Sequence, residues 1–322
     1  MELKPNLSIV FSFRNEAEVI PELIGRLRGS LQAAGMNYEI IFVNDESTDG
    51  SKSLLIQEAK KDGRIKLINM SRRFGVTQCF MAGIRYASGD AVVIMDSDLQ
   101  DPPELIPEMI QKWRDGAEVV YTQRTKRAGE SFFKTWMTRT AYKIIKLVSE
   151  VDLPVDSGEY KLMSRRVVEE LVRLNEKEPY IRGLVRFLGF PHATVFYHRE
   201  KRVLGKSHFP LYSSGPVKTF ISGVLSFSLA PLYFSFFMGM ILFFLSLADG
   251  IILTLAAFGH HSVPGWAIYL AMVLFLGAIQ LISVGVLGLY IGKIYRETQN
   301  RPDYIIESTL GFESADILNS RR

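Results

Sequence analysis

Cysteine is nearly missing: Cys79 is the one such residue among 322. A lone thiol excludes an internal disulfide and a cysteine-based zinc site, fits a reducing compartment, and points to a packing role. An excess of one charge sign is missing too. Lys plus Arg number 38 against 34 Asp plus Glu, a formal net charge of +4, too small and too scattered for a nucleic-acid surface. The N-terminus lacks a signal-peptide pattern, since Glu2 and Lys4 interrupt Met1 to Asn6 and a short apolar run follows. The first domain is therefore expected in the cytoplasm. His192, His198, His260 and His261 show no metal-ligand spacing with nearby carboxylates and are expected to be ordinary.

Charged residues are spread through roughly the first 210 positions, whereas a later stretch is almost uncharged. Between residues 225 and 292 the one Asp, Glu, Lys or Arg is Asp249. Leu229 to Phe258 and Trp266 to Ile291 each exceed the ~20 apolar residues that span a bilayer, so two transmembrane helices joined by the turn Gly259 to Gly265 are expected. That turn has no Lys or Arg, whereas Lys201, Arg202, Lys206 and Lys218 precede the first span and Lys293, Arg296 and Arg301 follow the second. Positive flanks of this kind put both termini in the cytoplasm. Asp249 is costly inside a span and invites a functional role, with interhelical contact or the far interface as the blander reading.

Phe132 to Val151 carries Phe133, Trp136, Met137, Ile144, Ile145 and Val148 at helical spacing beside Lys134, Arg139, Lys143 and Lys146. This suits an interfacial helix, or an amphipathic helix packed on the globular domain. The expected layout is a cytoplasmic globular domain at 1–210, a juxtamembrane amphipathic helix at 211–228, a transmembrane hairpin at 229–292 and a cytoplasmic C-terminal tail at 293–322.

The first hundred residues alternate β-rich runs with helical stretches. Leu7 to Phe13, Tyr38 to Asn44, Ile65 to Met70 and Ala91 to Asp96 read as strands; Glu16 to Ala34, Ser51 to Lys61 and Thr77 to Ala87 read as helices. The pattern predicts an α/β fold with a mostly parallel sheet and helices on both faces. Ligands of such sheets bind outside the carboxyl ends of the strands, where Arg14, Asn15 and Glu16, then Asp45, Glu46 and Ser47, then Asp96, Ser97 and Asp98 stand. Asp96 and Asp98 can face a divalent cation together, with Gln100 as a further oxygen ligand, and such hard donors suit Mg2+ or Mn2+ shared with substrate phosphates. The alternative is an Asp-rich turn before Pro102 and Pro103.

Five segments in order, SIVFSFRNE, NDESTDGS, DSDLQDPP, VDSGEYKLMSR and REKRVLGKSHF, make the chain resemble glycosyltransferase family 2. Within it the likeness is to the polyisoprenyl-phosphate sugar synthases, a group that includes dolichol-phosphate mannose synthase and bactoprenol glucosyltransferases. It runs to about Ser308. The resemblance implies a GT-A fold, nucleotide-sugar contacts from Asn15, Glu16, Asp45, Ser47, Asp96 and Ser97, a metal at Asp96, Asp98 and Gln100, and Asp156 at the reacting centre. It implies acceptor or donor phosphate contacts from Arg124 and Arg127, expected in a loop, and from Lys161, Arg202, Lys206 and Ser207.

The implied reaction is inverting transfer of a hexose, UDP-glucose being the first choice of donor, to undecaprenyl phosphate at the bacterial inner membrane. The product is a lipid-phosphate-linked sugar for cell-envelope glycan modification. UDP-N-acetylglucosamine or an aminosugar donor is the alternative, and a non-catalytic membrane scaffold is the rival of a different class. A processive polysaccharide synthase is disfavoured because no QxxRW-like motif is present. A phosphate monoester has a second pKa of about 6 and scarcely needs a general base, so Asp156 reads as a positioning group. Asn44, Lys161 and His208 depart from the Asp, Arg and Lys common in the family, which leaves the sugar open. Arg72, Arg73 and Gly75 stand after the third strand, where donor could pass or solvent could bathe a loop. Gly83 is expected to permit close helix packing. Tyr304 to Glu307 could pair with another subunit, as the family sometimes forms tetramers.

Overall fold

The computed structural model describes residues 6–124, 157–197, 230–258 and 265–312. The chain divides into two units, Met1–Lys146 with Val151–Gly223 and Pro302–Arg322, and Leu147–Glu150 with Val224–Arg301.

In the first unit β1 (Leu7–Phe13), β2 (Tyr38–Asn44), β3 (Ile65–Met70) and β4 (Ala91–Asp96) coincide with the apolar runs read from the sequence. They join β5 (Val119–Arg124), β6 (Ser157–Ser164), β7 (His192–Tyr197) and β8 (Ile306–Leu310) in one sheet of order β7-β5-β6-β4-β1-β2-β3-β8. The β4-β1-β2-β3 block is parallel, β6 runs antiparallel to both β4 and β5, and β8 runs antiparallel to β3.

Continuous apolar runs form β1, β2 and β4 because helices cover both faces of the sheet, so no alternation with polar residues is needed. On one face Leu7, Ile9, Phe11 and Phe13 pack with Ile20, Leu23 and Leu27 of α1 (Ile20–Ala34) and Ile106 and Met109 of α4 (Ile106–Arg114). α2 (Ser51–Lys61) adds Leu55 to this core. On the other face α3 (Val76–Tyr86) lies so close that a Cβ on Gly83 would sit 2.2 Å from Val10 Cγ1. The glycine therefore permits the close approach expected of it. α5 (Arg165–Leu174) packs beside α3 and against β4 and β6, and α6 (Ile181–Phe187) follows it. Each buried Leu, Ile or Phe contributes roughly 2 kcal/mol relative to exposure, which gives the strand ends a firm base.

Two expectations change at the C-terminus. The stretch expected as a tail from residue 293 is helical to Thr298 and then supplies β8. The strand expected to pair with another subunit at Tyr304 to Glu307 is Ile306–Leu310, and it pairs within its own chain along the outer edge of β3, whose backbone groups would otherwise be open.

The second unit consists of α7 (Ala230–Phe258) and α8 (Gly265–Thr298), packed on one another. Phe234, Phe236, Leu281 and Val284 are exposed, as suits helices surrounded by something other than water. Among the described residues one segment, Phe275–Thr298, is long and apolar enough to cross a membrane, where two were expected, and Pro231–Leu242 is a shorter apolar stretch.

Candidate active site

Strand order reverses between β1 and β4: the chain continues from β1 to β2 towards one edge of the sheet and from β4 to β5 towards the other. A crevice at that point, outside the carboxyl ends of the strands, is where open α/β sheets bind ligands. The loops after β1, β2 and β4 each contain one non-glycine residue with positive φ: Asn15 at 57°, Glu46 at 59° and Leu99 at 57°. Left-handed backbone is unfavourable for such residues, most of all for Leu, and clusters where a loop's shape matters to function.

The β1 and β2 loops are stitched together. Asn15 N donates to Ser47 Oγ at 3.1 Å, Thr48 N donates to Asn15 Oδ1 at 2.7 Å, and Glu16 N donates to Ser51 Oγ at 2.9 Å. Asp45, buried at the end of β2, accepts from Phe74 N at 2.7 Å and Gly75 N at 3.1 Å on one oxygen, and from Gly75 N at 3.2 Å on the other. Gly75 has φ 102°, which a glycine tolerates where most side chains would not. Asp45 thus shapes the Arg72 to Gly75 loop. Arg14 adds a buried Nε with no hydrogen-bond partner among the described residues, a donor suited to an anion.

Across the crevice, Ser97 Oγ donates to Ser12 O at 3.1 Å and fastens β4 to β1. Asp98 Oδ1 accepts from Gln100 N at 3.1 Å, closing a tight turn around Leu99. Asp96 is the last residue of β4. Burial first, then the negative charges of Asp101, Asp98 and Glu159, push its carboxyl up to about 7, against the opposing pull of Arg182. Such crowding of carboxylates at a cleft is a mark of a functional site. Among the described residues no group of three or more His, Cys, Asp or Glu is arranged to hold a metal. Two carboxylates, an amide and substrate phosphates are nonetheless the donor set that Mg2+ usually takes, and a cation there would relieve the repulsion at Asp96.

Two further clusters flank Asp96. Arg124 closes β5, where a loop was expected; its Nε donates to Tyr197 Oη at 3.1 Å and its Nη2 stands 3.6 Å from Asp101. Tyr197 in turn donates to the fully buried Asp101. Lys161, expected as a phosphate contact, is 1% exposed, with its ammonium 3.3 Å from Glu159. Its place in β6, between β4 and β5, points it into the protein interior. Arg182 at the start of α6 donates to Glu159 at 2.6 Å. Burial alone would raise Glu159; Lys161 and Arg182 overcome it and hold the carboxyl down at about 2.

Residues 8–172 match the family model described as glycosyl transferase family 2. The chain belongs to that family. This family 2 glycosyltransferase is 41% identical over 310 residues to the uncharacterized glycosyltransferase YkcC of Bacillus subtilis, covering 95% of each chain. It is 35% identical over 305 residues to the SfII prophage-derived bactoprenol glucosyl transferase of Shigella flexneri, covering 94% of this chain and 98% of that one. A solved mannosyltransferase from Pyrobaculum calidifontis, in complex with GDP-Man and Mn2+, matches over 92% of this chain and 86% of its own with 18% identity and a TM-score of 0.45.

The structure of the family 2 enzyme brings Asn15, Glu16, Asp45 and Ser47 together on one side of the crevice and Asp96, Ser97, Asp98 and Gln100 on the other. Arg124 reaches the second group through Asp101. Asp156, Arg127, Arg202, Lys206 and Ser207 lie outside the described residues, as do His198, His208, His260, His261 and the stretches Phe132 to Val151 and 211–228 expected as amphipathic helices. Sequence reasoning missed Asp101, Glu159, Arg182 and Tyr197. The first two stand within the motifs DSDLQDPP and VDSGEYKLMSR, beside Asp96, Asp98 and Asp156.

Proposed function

We propose that this enzyme transfers a hexose from a nucleoside diphosphate sugar, UDP-glucose first, onto the phosphate of a polyisoprenyl lipid such as undecaprenyl phosphate, with inversion at the anomeric carbon. The observation that carries the reading is the crowd of carboxylates at the sheet's reversal point, Asp96 and Asp98 backed by buried Asp101, with Asp96 pushed up to about 7. The 35% identity with a protein named bactoprenol glucosyl transferase, along nearly all of both chains, supports the acceptor class.

In this reading Asp96, Asp98 and Gln100 would hold Mg2+ or Mn2+, which would supply positive charge to offset that of a leaving nucleoside diphosphate. Asn15, Glu16, Asp45 and Ser47 hold the nucleotide, and the Arg14 Nε, unpartnered among the described residues, suits its diphosphate. Arg124, with Arg127, Arg202, Lys206 and Ser207, draws the acceptor phosphate. Lys161 acts from behind, by fixing Glu159. Asp156 positions the acceptor, whose phosphate is already largely a dianion near neutral pH. The fold is of GT-A type, and α7 and α8 anchor the enzyme as a two-pass hairpin with the catalytic unit in the cytoplasm.

The test is incubation of the purified enzyme with undecaprenyl phosphate, a divalent cation and a panel of nucleotide sugars, with product mass and anomeric configuration determined. A β-linked lipid phosphate from an α-linked donor is expected. Retained configuration refutes single displacement, and the absence of any glycolipid across the panel refutes the acceptor.

A further inference from the structure

A line of polar contacts leads from the loop assigned to the nucleotide to the strand that follows the apolar helices. Ser47 N donates to Asn44 Oδ1 at 2.9 Å, Asn44 Nδ2 donates to Asn69 Oδ1 at 3.0 Å, and Asn69 Nδ2 donates to Ser308 Oγ at 3.1 Å. Strand register makes the alignment: Asn44 is paired with Asn69 across β2 and β3, and Asn69 with Ser308 across β3 and β8. Asn44 and Asn69 are 3% and 4% exposed, so an unmatched amide at either place would lose water without gaining a partner. An amide suits both posts because it accepts and donates at once. Asn44 needs its amide for this: a carboxylate there could accept from Ser47 but could not donate to Asn69 in its present orientation.

We propose that Asn69 and Ser308 are positioning residues for the donor, the strand from beyond the apolar helices fixing the Asp45 to Thr48 loop through Asn44. Neither touches the reacting atoms. The proposal rests on the assignment of that loop to the nucleotide. The ion pair between Lys52 and Glu307, 3.2 Å apart and half exposed at both ends, ties the same strand to α2 but stands outside the line and contributes little, as surface pairs do.

The test uses the full-length enzyme, with initial rates in UDP-glucose and undecaprenyl phosphate and a separate titration with UDP. Loss of one hydrogen bond of this kind raises the donor KM and the UDP dissociation constant roughly threefold in Ser308→Ala, and loss of two raises them about tenfold in Asn69→Ala. The acceptor KM stays constant and kcat stays within about twofold. Ser308→Thr, which keeps the hydroxyl, restores the donor KM, and Glu307→Ala, which loosens the strand without cutting the line, leaves it unchanged. The proposal is overturned if Ser308→Ala and Asn69→Ala leave the donor KM unchanged while Asp45→Ala raises it, or if both variants lower kcat and donor and acceptor affinity alike, as general unfolding would. Asp45→Ala without effect on donor KM or UDP affinity overturns the nucleotide assignment instead.

Discussion

Asp45 tests the donor side most directly. Replacement by Ala removes the acceptor of two short bonds, from Phe74 N at 2.7 Å and Gly75 N at 3.1 Å, and of a longer one at 3.2 Å. Hydrogen bonds to an ionised acceptor each contribute about 1.5–3 kcal/mol, which sets an upper sum of roughly 3–6 kcal/mol for the two short ones. Phe74 and Gly75 are half-buried, so water recovers part of the loss when the carboxylate goes, and about 2 kcal/mol is a fair net figure for release of the loop. If that loop must be in place for the nucleotide to bind, the donor KM rises about thirtyfold at 1.4 kcal/mol per factor of ten. Asp45→Asn keeps one carbonyl oxygen for the two short bonds and loses the charge, so it falls between wild type and Ala, near a fivefold increase. Initial rates against donor concentration at saturating acceptor, with thermal unfolding recorded in parallel, measure both effects. A donor KM unchanged in Asp45→Ala while the unfolding temperature falls refutes the link between loop order and donor binding. An unchanged unfolding temperature refutes the clasp itself.

Asp96→Ala and Asp98→Ala are each expected to reduce kcat at least a hundredfold and to abolish the response to added Mg2+ or Mn2+; metal titrations of initial rate check this. Gly83→Ala places a methyl group 2.2 Å from Val10 Cγ1 and 3.1 Å from Val43 Cγ2. Overpacking costs about 1–3 kcal/mol against a helix-propensity gain of up to ~1 kcal/mol, so thermal unfolding falls by several degrees, and Val10→Ala in the same chain recovers part of the loss. Asp62, bonded by Arg64 and Arg28, has its carboxyl held at about 2 against an ordinary 3.8. A depressed carboxyl stabilises the fold above its unfolded pKa and ceases to do so as pH falls through the folded one. The contribution, on the order of 1 kcal/mol after solvent screening of half-exposed Arg64, is therefore lost between about pH 4 and 2, and Asp62→Asn removes that dependence in acid unfolding curves.

The parallel half of the sheet was legible because each strand is buried on both faces and bounded by polar turns, as in AVVIMD before SDLQD. The strand-end residues around the crevice followed from the same pattern. α1 begins at Ile20 rather than Glu16 because Glu16 to Val19 form a turn in which Glu16 O accepts from Val19 N and Ile20 N. The antiparallel half was harder to read. β6 alternates charged and apolar residues, and a lysine in such a strand looks exposed until Glu159 and Arg182 meet it; Arg182 arrives from α6, which no local pattern links to β6. Arg124 looked like a loop residue because its partners, Asp101 and Tyr197, come from two other elements. β8 was visible as a strand, but local sequence does not say which edge a strand will choose.

That choice of edge affects how the chain is made. The bond from Asn69 to Ser308 joins residues 239 positions apart, so a ribosome releases β3 long before its outer neighbour exists. Until Leu310 emerges, the nascent sheet presents an open row of backbone groups, the kind of surface that recruits chaperones or a second unfinished chain. Translation halted in the apolar stretch would leave a protein with most of its crevice residues and an unguarded flank, one that aggregates rather than one that works slowly.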